Sequence, residues 1–207
     1  MSKQHEMVGK IFPTNNGGDC VVIEYVGARD VTVEFLDDYK HQKKTQAVHV
    51  REGRVLNPFA KTVHGVGFIG VGKHKVSVKR EDTKLYKDWS SMMGRGYSEN
   101  YKSKYPTYKD CTVCEDWHNF QVFGDWATSQ EFYGLGYQLD KDILVKGNKV
   151  YSPETCCYVP QRINKLVLSK GTSNKKLKEV HIKSVALDWK NKIDSRVFEA
   201  LMNWKLD

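Results

Sequence analysis

The chain has 207 residues, 40% of them hydrophobic and 12% aromatic, with a formal charge of +8 at pH 7. That length and composition suit one or two folded domains with a sizeable core and exclude a disordered chain. No apolar run approaches the ~20 residues needed to span a bilayer, Met1–Lys10 is too polar for a signal peptide, and five cysteines are an odd number, so a soluble, cytoplasmic protein with reduced thiols and no membrane partner is expected.

The charge alternates along the chain. It is +1 over residues 1–72, +5 over 73–110, −4 over 111–159, +7 over 160–192 and −1 over 193–207. Basic flanks suit a polyanion, whereas clustered carboxylates suit a divalent cation. Lysines that merely solvate a surface are the bland alternative for any single block.

Residues 1–72 carry β-rich runs at Val21–Val26, Val31–Leu36 and Ala47–Val50, with a polar loop through Asp37–Lys44. Their spacing predicts a small antiparallel, SH3-like β-barrel, with Asn57-Pro58 marking the exit toward a linker. Next, Gly65, Gly67 and Gly70 fit G-x-G-x-x-G, and Gly72-Lys73 resembles part of a P-loop. Both motifs need a helix immediately after the glycines, but Lys75–Lys79 alternates as a strand does, so a close-packed connector is the reading adopted.

From Leu85 the period becomes helical, with Leu85, Trp89, Met92 and Met93 on one face. A second helix is expected over Cys114–Trp126, with Trp117, Phe120 and Phe123 or Trp126 building core. His118 lies off that stripe, where it could reach phosphate or metal, although isolated surface histidines are mostly inert. Cys111-x-x-Cys114 is half of a structural Zn²⁺ site that Cys156 and a histidine would complete. Small buried cysteines are the simpler reading.

Gln138–Leu168 reads as strand, loop, strand and helix. Gln138–Ile143 alternates, Lys146–Lys149 turns, Cys156–Val159 is a short apolar run, and Pro160 opens a helix with Ile163, Leu166 and Val167 on one face. Such a ββα unit would set Asp140 and Asp142 on the first strand across a narrow gap from Asn164, which is metal-site geometry. Ser169–Lys178 reads as a lysine-rich connector, and Asp194 caps a terminal helix bearing Val197, Phe198, Leu201 and Met202. The expected class is α+β in three parts: a β-module over 1–72, helices with the ββα unit over 73–168, and a basic connector with C-terminal helices over 169–207.

The run Tyr86–Tyr97, the segment Val113–Phe120, then Leu139–Asp142, Gly147-Asn148, Tyr151–Cys156 and Asn164 together resemble the phage-type HNH homing endonucleases and their ββα-metal motif. The resemblance implies double-stranded DNA as partner, phosphodiester hydrolysis, a phage-infected bacterial cell, and one Mg²⁺ or Mn²⁺ as cofactor. It implies catalytic positions at Lys141, Asp142, Asn148 and Thr155, with Asp140 and Asn164 holding the ion and Glu154 or Asp142 as further ligand. Arg95, Arg162 and Lys165, with Lys170, Lys175 and Lys176 of the basic block, would meet the DNA backbone. The sequence departs from that family where Lys141 replaces the first histidine, Thr155 a common Asn, and Gly96 an expected Cys. A lysine near its usual pKa of about 10.4 is no general base at neutral pH. A nuclease-derived protein that binds DNA or a host protein without cleaving is therefore the alternative.

Overall fold

The computed structural model describes residues 7–169 and 175–206 of a mixed α/β chain. Two compact units divide it, Met1–Val71 and Gly72–Asp207.

In the first unit, β1 (Ile11–Pro13), β2 (Asp19–Gly27), β3 (Asp30–Phe35) and β4 (Gln42–Thr45) form an antiparallel sheet in that order. The β2 and β3 runs fall where the apolar residues predict. Cys20 and Val22 of β2 meet Val31, Val33 and Phe35 of β3 in a core closed by Met7, Ala47, Val50 and Val55. The sheet is open: among the described residues β1 and β4 are edges that do not pair, in place of the expected closed barrel. Two further expectations are corrected. The last strand is the polar Gln42–Thr45, an edge whose exposed Lys43 and Lys44 tolerate solvent. The expected strand Ala47–Val50 is instead the helix α1 (Ala47–Arg51), which buries Ala47 and Val50 one turn apart.

Asn57 is not an exit. It is 6% exposed, its Nδ2 donates to Asp37 Oδ2 (2.6 Å), and its backbone N–H reaches Asn16 Oδ1 (3.1 Å). The unit therefore continues to Val71 through the glycine-rich stretch. Gly65 and Gly70 there adopt left-handed φ of +73° and +70°, a conformation that glycine reaches without a Cβ clash.

The second unit begins with the segment Gly72–His74 docked on a helix rather than starting one, so neither phosphate-loop motif is formed. β5 (Ser77–Val78) and β6 (Glu81–Asp82) make a short hairpin, shorter than the expected Lys75–Lys79 strand because Lys79 and Arg80 turn the chain at positive φ. Thr83 then caps α2 (Lys84–Tyr97) by accepting from Tyr86 N–H (3.1 Å), and Ser98 caps α3 (Glu99–Lys104).

β7 (Thr112–Val113) precedes a 3₁₀ turn at Glu115–His118 and α4 (Phe120–Ser129). The single helix expected over Cys114–Trp126 is thus broken at Asn119, whose Oδ1 captures Gln121 N–H (2.9 Å) and restarts the helix. The aromatic stripe is core as expected. Trp89, Trp117, Phe120 and Phe123 are at most 1% exposed, and Trp89 Nε1 donates to the Trp117 carbonyl (2.7 Å).

β8 (Gln138–Asp140), β9 (Val150–Tyr151), β10 (Cys157–Val159) and α5 (Gln161–Leu168) carry the central unit. β8 pairs antiparallel with β10, placing Asp140 opposite Cys157, while β9 pairs in parallel with β7. The first strand ends at Asp140 rather than Ile143 because the carboxylate of Asp140 accepts the N–H groups of Asp142 and Ile143, both at 2.8 Å, and turns the chain.

α6 (Lys175–Asp188) shows that the lysine-rich stretch is helical from Lys175 onward. α7 (Ser195–Met202) is capped by Asp194 as expected, through Arg196 N–H (2.8 Å). Ile163, Val167, Ile182, Val185, Val197, Leu201 and Trp204 pack these helices against Ile143, Cys157 and Val159. That cluster fixes the back of α5.

Candidate metal and phosphate cleft

A cleft of about 620 Å³ opens in the second unit, between one stripe of α2 and the ββα segment. The α2 side consists of Lys84, Asp88, Ser91 and Arg95, which recur every three or four residues and so share a helix face. Opposite them lie Gln138, Asp140, Lys141 and Asp142, with Lys149, Tyr151 and Asn164. Four cations and three carboxylates converge there, a composition suited to an anion held beside a cation.

Asp140 is buried, and burial raises its pKa against the lowering effect of the two backbone N–H bonds it accepts. Both of those bonds end on Oδ1, so Oδ2 is left over for another partner. Lys141 is also buried. Its Nζ donates to Asp142 Oδ1 and to the Asn148 carbonyl, each at 2.7 Å, and sits 5.8 Å from the Tyr151 ring centre.

Asn148 spans the loop between the strands. Its Nδ2 donates to the carbonyls of Lys141 (3.1 Å) and Val150 (2.5 Å), and its Oδ1 accepts Val150 N–H (3.1 Å). The residue fixes the backbone beneath Lys141 rather than entering the cleft. Asn164 uses only half of its amide. Nδ2 donates to Gln138 Oε1 (3.1 Å), while the fully buried Oδ1 has no hydrogen-bond partner. A buried oxygen left without a donor costs about 1–3 kcal/mol and marks a place where an ion or water is expected.

Arg95 is anchored at the cleft wall. Burial opposes its charge, but the phenols of Tyr151 and Tyr108 outweigh that and raise its pKa, with hydrogen bonds to Tyr151 and Tyr101. Gly96 packs α2 closely on β7. A Cβ there would come within 3.1 Å of the Val113 side chain, a tight contact that Gly96 avoids and that a cysteine would relieve only if Val113 shifted by a few tenths of an ångström.

The remaining expected positions lie elsewhere. Thr155 ties its own turn, donating to the Val150 carbonyl (2.7 Å) and accepting Ser152 N–H (3.2 Å), and does not line the cleft. Glu154 is exposed and held by Ser152, which lowers its pKa, so it is not brought to the ion position. Arg162 and Lys165 are on the exposed side of α5, Lys175 and Lys176 are exposed on α6, and Lys170 lies outside the described residues. His118 packs against Tyr97, whose hydroxyl is 2.8 Å from its Nε2, away from the cleft lining. Lys84 and Lys149 are cleft cations that the sequence reading passed over. The signal for Lys84 was its spacing with Asp88, Ser91 and Arg95.

Among the described residues no three His, Cys, Asp or Glu side chains are grouped to hold a metal ion. Lys141 and Lys149 act electrostatically on Cys111, Asp116 and Glu154 on Cys114, and Cys114 on Cys156. Burial raises the pKa of each of these thiols, that of Cys156 to about 12. A hard ion differs in its needs. Mg²⁺ is commonly held by one or two carboxylates, with waters and substrate phosphate completing the shell. Asp140 Oδ2 and the orphaned Asn164 oxygen fit that partial set.

In comparisons with known proteins, the chain matches no family model, no curated protein and no solved structure.

Proposed function

We propose that the second unit is a metal-dependent DNA endonuclease of the phage homing type, on an HNH-like ββα scaffold, and that the first is an SH3-like module left open at its edges. One observation carries the reading: Asn164, whose buried amide oxygen has no partner, and the buried Asp140 line the same cleft as Lys84, Arg95, Lys141 and Lys149. Asp140 and Asn164 would hold the ion. When bound, that ion supplies charge stabilisation at the scissile phosphate and lowers the pKa of a bound water.

The chain's own residues do the positioning. Arg95, fixed by its tyrosines, grips a phosphate oxygen, and Lys84 and Lys149 offset the charge of the flanking backbone. Asp142 neutralises Lys141, and Asn148 locks the loop on which both stand. Double-stranded DNA is the substrate in this reading, with Arg162, Lys165, Lys175 and Lys176 available on exposed helix faces for salt-dependent backbone contact.

A second reading rests on a specific observation. Both hydrogen bonds of Lys141 Nζ run to its own loop, to Asp142 Oδ1 and the Asn148 carbonyl, so the amine is committed to holding that loop. A nuclease-derived protein that binds DNA or a host protein without cutting would tolerate that arrangement. The discriminating experiment incubates supercoiled DNA and Mg²⁺ or Mn²⁺ with wild type, Asp140→Asn and Lys141→His. Asp140→Asn keeps an oxygen for the two backbone amides while removing the charge. Nicking by wild type that Asp140→Asn loses supports the nuclease, and a gain in Lys141→His identifies Lys141 as the limit on chemistry. Inert proteins that still bind DNA with salt-sensitive affinity would support the binding reading, and absence of DNA binding at low salt would sink the nuclease and leave a host protein as the partner.

A further inference from the structure

The first unit carries a second cleft, of about 510 Å³, which the reading of the second unit leaves unused. Its lining includes Gly17, Gly18, Asp38, Tyr39, Phe59 and Lys61. Tyr39 stacks on Phe59 with ring centres 4.2 Å apart and planes 12° apart, and Phe68 packs against both at 5.6 and 5.8 Å. Tyr39 nevertheless remains 51% exposed, a large aromatic surface supported from behind and open in front.

The polar groups around it divide sharply. Asp37 is spent: Oδ1 accepts the N–H groups of Tyr39 (3.0 Å) and Lys40 (3.2 Å), and Oδ2 accepts from Asn57 (2.6 Å). Asn57 is in turn held by Asn16 through two further hydrogen bonds, of 3.1 and 2.8 Å. This network holds the Tyr39 loop in place before any ligand arrives. Asp38, the next residue, is exposed and makes no hydrogen bond or ion pair among the described residues. Gly17 and Gly18 line the cleft without side chains, at left-handed φ of +98° and +80° and with open space where a Cβ would stand.

An exposed aromatic face beside a free carboxylate matches a planar cation. A guanidinium can stack on the ring and present two N–H groups to the carboxylate, whereas an ammonium offers no plane to stack. Asp37 and Asp38 outnumber Lys61 in the lining, so the cleft is locally acidic on a chain of charge +8, which disfavours nucleic acid. We propose that this cleft binds an arginine side chain presented on a peptide segment of a partner protein, with Tyr39 as the stacking surface and Asp38 as the counter-charge.

The test uses the intact, ¹⁵N-labelled 207-residue chain. Acetyl-Gly-Arg-Gly-amide is titrated in, beside the same peptide carrying Lys or Gln in place of Arg. The expected result is saturable shifts at the Gly17, Gly18, Asp38 and Tyr39 amides, with Kd on the order of 1 mM for the arginine peptide. Binding should be weaker for lysine and absent for glutamine. Asp38→Asn and Tyr39→Leu, both at exposed positions, should each weaken the arginine peptide by about tenfold while resonances elsewhere stay put. Equal shifts for arginine and glutamine peptides, unchanged affinity in both variants, or no shift at ten times the expected Kd would overturn the proposal. Shifts at these amides that follow protein concentration without peptide would assign the cleft to a second copy of the chain and overturn it as well.

Discussion

Two amide side chains in the second unit do opposite things with the same chemistry. Gln121, on α4, is 7% exposed, and both ends of its amide bind the backbone of His74: Oε1 accepts its N–H (2.8 Å) and Nε2 donates to its carbonyl (3.0 Å). Asn164, on α5, pairs its nitrogen with Gln138 and leaves its buried oxygen without a partner. A fully satisfied amide staples two segments and needs nothing else. A half-satisfied one carries a cost that an ion or a water would relieve, so the two contrast a closed staple with an open coordination position.

The comparison can be broken by substitution, beginning with the core against which α4 is built. Phe120 is fully buried, in contact with the rings of Trp89, Tyr86 and His74. Phe120→Ala should destabilise the chain by about 3–5 kcal/mol in denaturant titration, because the removed ring leaves a cavity that rigid neighbours cannot fill. A loss below 1 kcal/mol would mean that the aromatic cluster is not the core of this unit. Gln121→Ala comes next. It strands the N–H and carbonyl of His74 and should cost about 1–3 kcal/mol, with no change in any response to Mg²⁺. The neighbouring contacts leave little room to compensate, since Gly124 is already pressed against the His74 ring.

Much of this was legible in the sequence. The β2 and β3 runs, the α2 face, the aromatic stripe, the Asp194 cap and the order strand, loop, strand, helix around Asp140 follow from periodicity and capping chemistry, which act over a few residues. What escaped was decided by side chains acting on backbone at particular points. Asn119 ended one helix and began another, Asp140 terminated its strand by capturing two amides, and Asn57 turned out to be a buried brace instead of an exit. Ala47–Val50 is short and apolar, and such a segment satisfies either period. At the site, Asp140, Lys141, Asp142, Arg95 and Asn164 do line one cleft, but Glu154 and Thr155 serve their own turn. Linear proximity to a motif could not separate those roles.

Asp140 sharpens the comparison through pH. Burial raises its folded-state pKa above the unfolded value of about 3.9, so between those two values the native state binds more protons than the unfolded chain. Its contribution to stability is therefore greatest below the unfolded pKa and falls as pH rises through the folded one. Asp140→Asn should remove that fall while retaining an oxygen for the amides of Asp142 and Ile143. Thermal unfolding between pH 4 and 7 should show the difference between the two proteins shrinking toward acid. Mg²⁺ should flatten the wild-type fall, because an ion favours the ionised carboxylate. A wild-type profile indistinguishable from that of Asp140→Asn, with and without the ion, would place Asp140 on the structural side beside Gln121.

The smallest effect on stability is expected at Asn164, and it is the most informative. Asn164→Ala removes one hydrogen bond, to a Gln138 side chain that is only partly buried and can turn to water, and it also removes the desolvated oxygen that has no partner. The two changes oppose one another, so the net change should stay within about 1 kcal/mol, well short of the loss expected for Gln121→Ala. Mg²⁺ should respond differently. A ligand that binds only the native state raises its apparent stability by RT ln(1 + [L]/Kd), and with the amide oxygen gone the ion-dependent rise in melting temperature should shrink or vanish. If Asn164→Ala instead destabilises the chain as strongly as Gln121→Ala and leaves the Mg²⁺ response intact, then the oxygen is satisfied by structural water. The ion would in that case have to rest on Asp140 and Asp142 alone, with Asp142 already committed to Lys141.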